Sequence, residues 1–261
     1  MLWGHDQVRR GRELPPRGAA QAELHTLFAS ASLALSTGAR IPQVGPGVWQ
    51  SPRGDATRDA VQAALRSGYR HVDTARIYGN EADVGAAVRA SGDLYLIHWP
   101  VAGKRLDSWR ALEKVFAEKR ARAIGVSNFL KPHLEELLGR AHTAPAVNQI
   151  ELSPFLQRRE TRALCDANRI VVEAYSPLTR GKRLDHPAVQ AVARRVKRSG
   201  AQVLLRWGVQ HGLVVLPKST HAERIAENGA LFDFELDPAS MAEMDGIDEG
   251  FTTGWDPATQ R

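Results

Sequence analysis

The chain has 261 residues, of which 43% are hydrophobic and 25% charged, and its formal net charge at pH 7 is +6. That length fits one large α/β domain or two small ones, with enough apolar residues for a real core. No run of eighteen apolar residues occurs, which argues against a membrane span. The 28 arginines are scattered over the whole length without a basic stripe interleaved with aromatics, so a solvated basic surface is expected rather than a nucleic-acid partner.

In chain order, residues 1–32 read as an N-terminal extension that lacks the apolar core of a secretory signal. From about Ile41 onward, short β-prone runs alternate with amphipathic helical windows. The strand candidates are Val44–Trp49, His71–Thr74, Leu94–His98, Ala123–Ser127, Val147–Ile150, Ile170–Tyr175 and Leu213–Leu216. The helical windows lie near Thr57–Ser67, Glu81–Ala90, Leu106–Lys119, Pro132–Gly139, Glu160–Asn168, Pro187–Arg198 and Ala222–Asn228. Strict βα alternation argues for a parallel sheet closed into a barrel over residues 33–261. Seven strands appear where a (β/α)8 TIM barrel has eight. The shortfall is local: the helix ending at Ala90 is followed by Ser91-Gly92-Asp93 and then directly by the Leu94 strand, so one βα unit of roughly thirty residues is missing. The single Cys165 cannot close an internal disulfide, which fits a cytoplasmic setting and an inert packed thiol.

Several segments carry chemistry. The stretch Gly68–Glu81 ends a short strand with Asp73 and places Tyr78 five residues later, before a helix that opens at Glu81. Asp73 and Tyr78 thus fall at a strand's carboxyl end, where βα barrels locate their active sites. His98 closes the strand Leu94–His98 and is followed by Trp99 and Pro100. Leu216-Pro-Lys-Ser219, with Arg224, Glu227 and Asn228, is a strand end running into a helix start, where free N–H groups and basic side chains favour a phosphate. Taken singly, these residues have ordinary readings: Tyr78 a loop aromatic, His98 a core histidine, Asp73 a helix-approach cap, Trp49 and Trp99 core or rim packing. No Gly-x-Gly-x-x-Gly turn follows a strand, which argues against a Rossmann domain. The nine histidines show neither His-x3-His spacing nor partner cysteines, so no metal is expected.

Taken together, Asp73-x4-Tyr78-x-Asn80-Glu81 and the downstream Leu96-Ile-His-Trp-Pro100 resemble the aldo-keto reductase family, and the resemblance runs from about Leu33 to the C-terminus. It implies a barrel that binds NADPH without a Rossmann domain and reduces a small aldehyde or ketone. Tyr78 would be the general acid, and His98 would orient the carbonyl. Asp73 would pair with a lysine that the family carries on the next strand, and this chain lacks that strand and its lysine. Ser127, Asn128 and Gln149 would hold the nicotinamide carboxamide, and Tyr175 would stack on the ring. Ser176, Leu178 and the loop to Gly181 would approach the pyrophosphate, with Thr179 standing where glycine is usual. Lys218 and Arg224 would bracket the adenosine 2′-phosphate with Ser219 donating to it, and Asn228 with Glu227 would meet adenine. Trp49 and Trp99 would line the substrate pocket. Gly254-Trp-Asp-Pro257 is similar to the C-terminal loop of bacterial members resembling 2,5-diketo-D-gluconate reductase. Lys104 is the one lysine placed to stand in for the lost one, against its ordinary reading as a solvated loop residue. The expectation is a monomeric NADPH-dependent reductase impaired by the missing lysine. Its rival is a catalytically weak or inactive NADP-binding protein or a damaged gene product.

Overall fold

The computed structural model describes residues 31–75 and 94–259. Its central feature is a five-stranded parallel sheet of β3 (Leu94–Ile97), β4 (Ala123–Ser127), β5 (Val147–Glu151), β6 (Val171–Tyr175) and β7 (Val214–Leu216), hydrogen-bonded in that order. Two more extended segments continue it: Val44 bridges Val215 and Gly47 bridges Asp73, both in parallel. The Gly45 N–H donates to the Val215 carbonyl at 3.1 Å, and the Asp73 N–H donates to the Pro46 carbonyl at 3.0 Å. Seven parallel segments therefore run around the core, at the positions expected from sequence. The first bonds on both sides, with the Gly47 N–H donating to the Pro217 carbonyl at 3.1 Å and the Val48 N–H to the Asp73 carbonyl at 3.2 Å, while Pro46 has no N–H to give. Among the described residues no strand pairs with the other side of β3, the side where the sequence lacks a βα unit.

An element absent from the sequence reading precedes the barrel. Strands β1 (Ser32–Ala34) and β2 (Arg40–Pro42) form an antiparallel hairpin, with Gly38 at φ 84 in its turn. A positive φ of this size is costly for any residue with a Cβ, and glycine supplies it freely. Leu35 and Ile41 pack with Ala123, Val147 and Val214, all at the amino ends of barrel strands. The hairpin thus covers that end and leaves the carboxyl ends for the site.

Helices α1 (Asp55–Arg66), α2 (Arg105–Ala117), α3 (Lys131–Leu138), α4 (Arg159–Ala167), α5 (Pro187–Val196) and α7 (Ala222–Gly229) agree with the expected windows. Two others, α6 (Gly200–Gln210) and α8 (Pro238–Asp245), were not foreseen. In α6 nearly every side chain from Gln202 to Val209 is buried, so no polar stripe marks a 3.6-residue period. Its start was nonetheless written locally: Ser199 and Gln202 exchange side-chain bonds with each other's backbone N–H, both at 3.2 Å. The α8 start is capped in the same manner, with the Ser240 N–H donating to Asp237 Oδ1 at 2.7 Å.

Packing around the sheet leaves little tolerance. A Cβ at Gly125 would stand 2.5 Å from the Val147 carbonyl oxygen and 2.7 Å from Leu96 Cδ2. Gly125→Ala is therefore expected to destabilise the fold by about 2 kcal/mol, since the clash involves backbone that cannot swing away. Urea unfolding of the variant against the unmutated protein measures this, and an unchanged midpoint would disprove the packing argument.

Candidate active site

Asp73, His98, Ser127, Gln149 and Tyr175 all lie at or near the carboxyl ends of parallel strands, and hydrogen bonds join most of them. Asn128 follows β4 with φ 64, a left-handed conformation that asparagine tolerates better than most residues. Its Nδ2 donates to the His98 carbonyl at 3.0 Å and to Ser127 Oγ at 3.1 Å, while its Oδ1 accepts from the Tyr175 hydroxyl at 2.7 Å. The Asn128 N–H donates to the Gln149 carbonyl at 2.8 Å. One residue, through its side chain and its backbone N–H, thus ties together β3, β4, β5 and β6.

Beneath this layer is a second polar group inside the barrel. Gln149 Nε2 donates to Asp73 Oδ1 and to Glu173 Oε2, both at 2.9 Å. With both amide protons given to carboxylates, Gln149 keeps only its carbonyl oxygen for a ligand. Glu173 Oε1 lies 3.3 Å from His71 Nε2, and these two side chains are 1% and 14% exposed. Burial pushes the Glu173 carboxyl up to about 7, against the pull of the Gln149 amide. Burial, reinforced by Glu173, also raises Asp73, and Gln149, His71 and His98 oppose that rise. His71 is lowered, again chiefly by burial. Burial likewise holds the Tyr175 hydroxyl protonated well above its ordinary range, so it acts as a donor.

His71 and Glu173 were not picked out from sequence. The available signal was a lone carboxylate within the apolar run Ile170-Val-Val-Glu-Ala-Tyr175. The His71 ring leaves no room for a side chain at Gly45, where a Cβ would approach its Cγ and Nδ1 to 2.8 Å.

The rim of the mouth is aromatic and basic. The Arg180 guanidinium stands over the Trp49 ring, 4.4 Å from its centroid, and Trp99 meets Trp255 edge-on at 6.5 Å. Ser176, Thr179 and Arg180 have φ of 48, 50 and 53, and Thr179 is buried where the sequence reading anticipates glycine. Leu178 begins this turn, and its carbonyl accepts from Thr179 Oγ1 at 2.7 Å. The C-terminal segment is fastened over the strand ends: Glu151 Oε1 accepts from the Thr253 N–H at 2.7 Å, and Arg158 donates to Asp256 Oδ1 at 2.9 Å. None of Arg158, Arg180 and Thr253 was singled out from sequence.

Lys218 and Arg224 are exposed, and among the described residues neither makes an ion pair. Ser219 Oγ accepts from the His221 N–H at 3.1 Å at the entry to α7, and Asn228 is buried on that helix with Glu227 half-buried beside it. Lys104 is exposed just before α2 and makes no ion pair among the described residues. Tyr78 and the expected helix Glu81–Ala90 lie outside the described residues. No described helix is long and apolar enough to cross a membrane, and no three described His, Cys, Asp or Glu side chains group as a metal site.

A parallel βα barrel with buried acid and amide groups under its carboxyl-terminal mouth defines a class of barrel enzymes. The Aldo/keto reductase family model matches residues 89–249, more than half of the chain. A Bacillus subtilis protein described as uncharacterized oxidoreductase YtbE is 39% identical over 274 residues, covering 89% of this chain and 98% of its own. That alignment is longer than this whole chain, so the relative carries residues missing here. The glyoxal reductase of Bacillus subtilis is 39% identical, covering 85% of this chain and 95% of its own. Among solved structures, a mutant of Gox0644 in complex with NADPH superposes with a TM-score of 0.82 at 34% identity, covering 88% of this chain and 98% of its own. This chain belongs to the aldo-keto reductase family, with one barrel unit fewer than the (β/α)8 form.

Proposed function

We propose that this chain is an NADPH-dependent reductase of small aldehydes or ketones whose turnover is slowed by the absence of a lysine beside Asp73. The observation that carries this reading is the linked set Asp73, Gln149, Asn128 and Tyr175 at the strand ends, with two cations, Lys218 and Arg224, unpaired among the described residues at the entry to α7. The residues present fit the cofactor. Exposed cations without carboxylate partners suit a 2′-phosphate dianion, with Ser219 donating beside them. Glu227 and Asn228 are assigned to adenine, and Ser176 and Leu178 to the pyrophosphate. Ser127 Oγ, Asn128 and the free oxygen of Gln149 are assigned to the carboxamide, and Tyr175 to one face of the nicotinamide ring.

The cofactor supplies a hydride to the carbonyl carbon when bound. The protein's part is to hold the carbonyl and deliver a proton. His98 orients the carbonyl oxygen, and the Tyr78 phenol donates its proton to the developing alkoxide. Asp73 precedes Tyr78 in the sequence and is assigned the role of setting the local charge. Trp49 and Trp99 are assigned to the substrate side of the mouth. Among the described residues no Lys or Arg pairs with Asp73, which favours a weakened reductase and keeps an inactive NADP-binding protein as the second reading.

We further propose a monomer acting in the cytoplasm. Cys165 is buried and unbridged, with its thiol pushed up to about 11 by burial. The barrel domain is assigned to residues 33–261, and residues 1–32 to an extension whose end already enters the hairpin at Ser32.

The test is cofactor choice. NADPH should bind more tightly than NADH, since each charge-assisted hydrogen bond to the extra phosphate contributes roughly 1.5–3 kcal/mol. Fluorescence titration should find the preference erased in Lys218→Ala combined with Arg224→Ala. Equal affinities in the unmutated protein would overturn the assignment.

A further inference from the structure

We propose that His71 and Glu173 are positioning residues that hold one shared proton between Nε2 and Oε1, and that this proton neutralises Glu173 so that Asp73 carries the only net charge among the three. The proposal deepens the reductase reading above and rests on it for the catalytic consequence alone.

The geometry is that of two anions without a cation. Asp73 Oδ1 and Glu173 Oε2 accept from the same nitrogen, Gln149 Nε2, at 2.9 Å each. A neutral amide satisfies two lone pairs and cancels no charge. Glu173 Oε1 is buried without a hydrogen-bond partner and faces His71 Nε2 at 3.3 Å. Among the described residues no Lys or Arg pairs with either carboxylate. Two uncompensated carboxylates in a barrel interior are far more costly than one carboxylate and one bound proton. Placed on the Oε1 to Nε2 line, the proton makes the His71–Glu173 pair neutral, whether it is written as imidazolium with carboxylate or as imidazole with carboxylic acid. Three strand segments fix these groups: His71 and Asp73 beside the first strand, Gln149 on β5 and Glu173 on β6. The ring cannot shift toward the first strand, because it fills the space of the missing Gly45 side chain.

The charged and polar groups that face the pair are Asp73, Gln149 and the Pro42 carbonyl, and His98 acts on Asp73. Asp73 and Pro42 favour a protonated ring, and burial opposes it. Burial also brings the Glu173 carboxyl to about 7, so the shared proton is lost near neutrality. Loss places a second negative charge beside Asp73, and the reductase rate should fall as pH rises through that range. Stability has the same sign. A carboxyl raised from 4.5 to about 7 contributes stability that is present below its unfolded value and lost as pH rises through the folded one.

The experiment compares the full chain with Glu173→Gln, which keeps the shape and removes the charge. Between pH 6 and 9 the unmutated protein should lose about tenfold more in its folding equilibrium constant than the variant, as a shift of this size implies. In urea unfolding, equal pH dependence of the two chains would overturn the proposal whatever their activities. With glyoxal as carbonyl probe, kcat of the unmutated chain should decline above neutrality while KM stays level, and Glu173→Gln should lose that decline. A decline that persists unchanged in the variant also counts against the proposal. No NADPH-dependent turnover by either chain at any pH would sink the reductase reading and leave the shared proton to the unfolding arm. Should the variant not fold, carbon-13 NMR of glutamate-labelled unmutated protein decides: a carboxyl titrating near pH 7 supports the shared proton, and titration of every glutamate near the ordinary ~4.3 refutes it.

Discussion

Glyoxal or another reactive aldehyde is expected to be reduced with NADPH at least ~10²-fold more slowly by this chain than by relatives that keep the family's lysine, the lower end of what positioned proton transfer contributes. The cause is the charge around Asp73. With no described Lys or Arg paired to it, no described cation beside Asp73 assists proton donation. A neutral phenol still donates a proton, and His98 still stands at the end of β3 to orient a carbonyl, so slow turnover is expected rather than none. Tyr78→Phe should remove most of what remains. Lys104→Ala should leave the rate unchanged, because Lys104 is exposed and makes no ion pair among the described residues. Steady-state NADPH oxidation reads all three chains. A rate matching that of lysine-bearing relatives would refute the account, and a collapse in Lys104→Ala would reveal a cation that reaches Asp73 in solution.

Thermal unfolding is expected below about 65 °C, within the ordinary mesophile range, with aggregation on heating. The five-stranded sheet ends at β3, and among the described residues nothing hydrogen-bonds to its outer edge. Tyr95 on that strand is 49% exposed. An open strand edge carries unmet N–H and C=O groups that template pairing between molecules, and closed barrels avoid this by having no edge. Scanning calorimetry with light scattering measures both effects. A monomer that unfolds cooperatively and reversibly above that temperature would show that the opening costs little.

The parts of the molecule legible in the sequence are those with local signals. β-branched runs bounded by turn residues marked all seven parallel segments, and the break between Ala90 and Leu94 marked the missing unit. Asp73, Asn128, Gln149 and Tyr175 were singled out because each falls in or just after a short strand within a distinctive local motif. The hairpin Ser32–Pro42 was not legible, since strands of three residues around Gly38 carry too little alternation. Helix α6 escaped because burial on all sides removes the polar face that periodicity depends on, although its Ser199–Gln202 cap was there to be read.

By itself the sequence determined the order of strands and helices, the family to which they belong and the identity of the residues at the strand ends, because these follow from local propensity and motif. Tertiary structure alone decided which of those residues meet. The parallel sheet brings His71, Gln149 and Glu173 together from three separate segments, and Gln149 then spends both amide protons on two carboxylates. Their charge problem exists nowhere along the chain. It arises when packing removes the water that would otherwise have solvated each group separately.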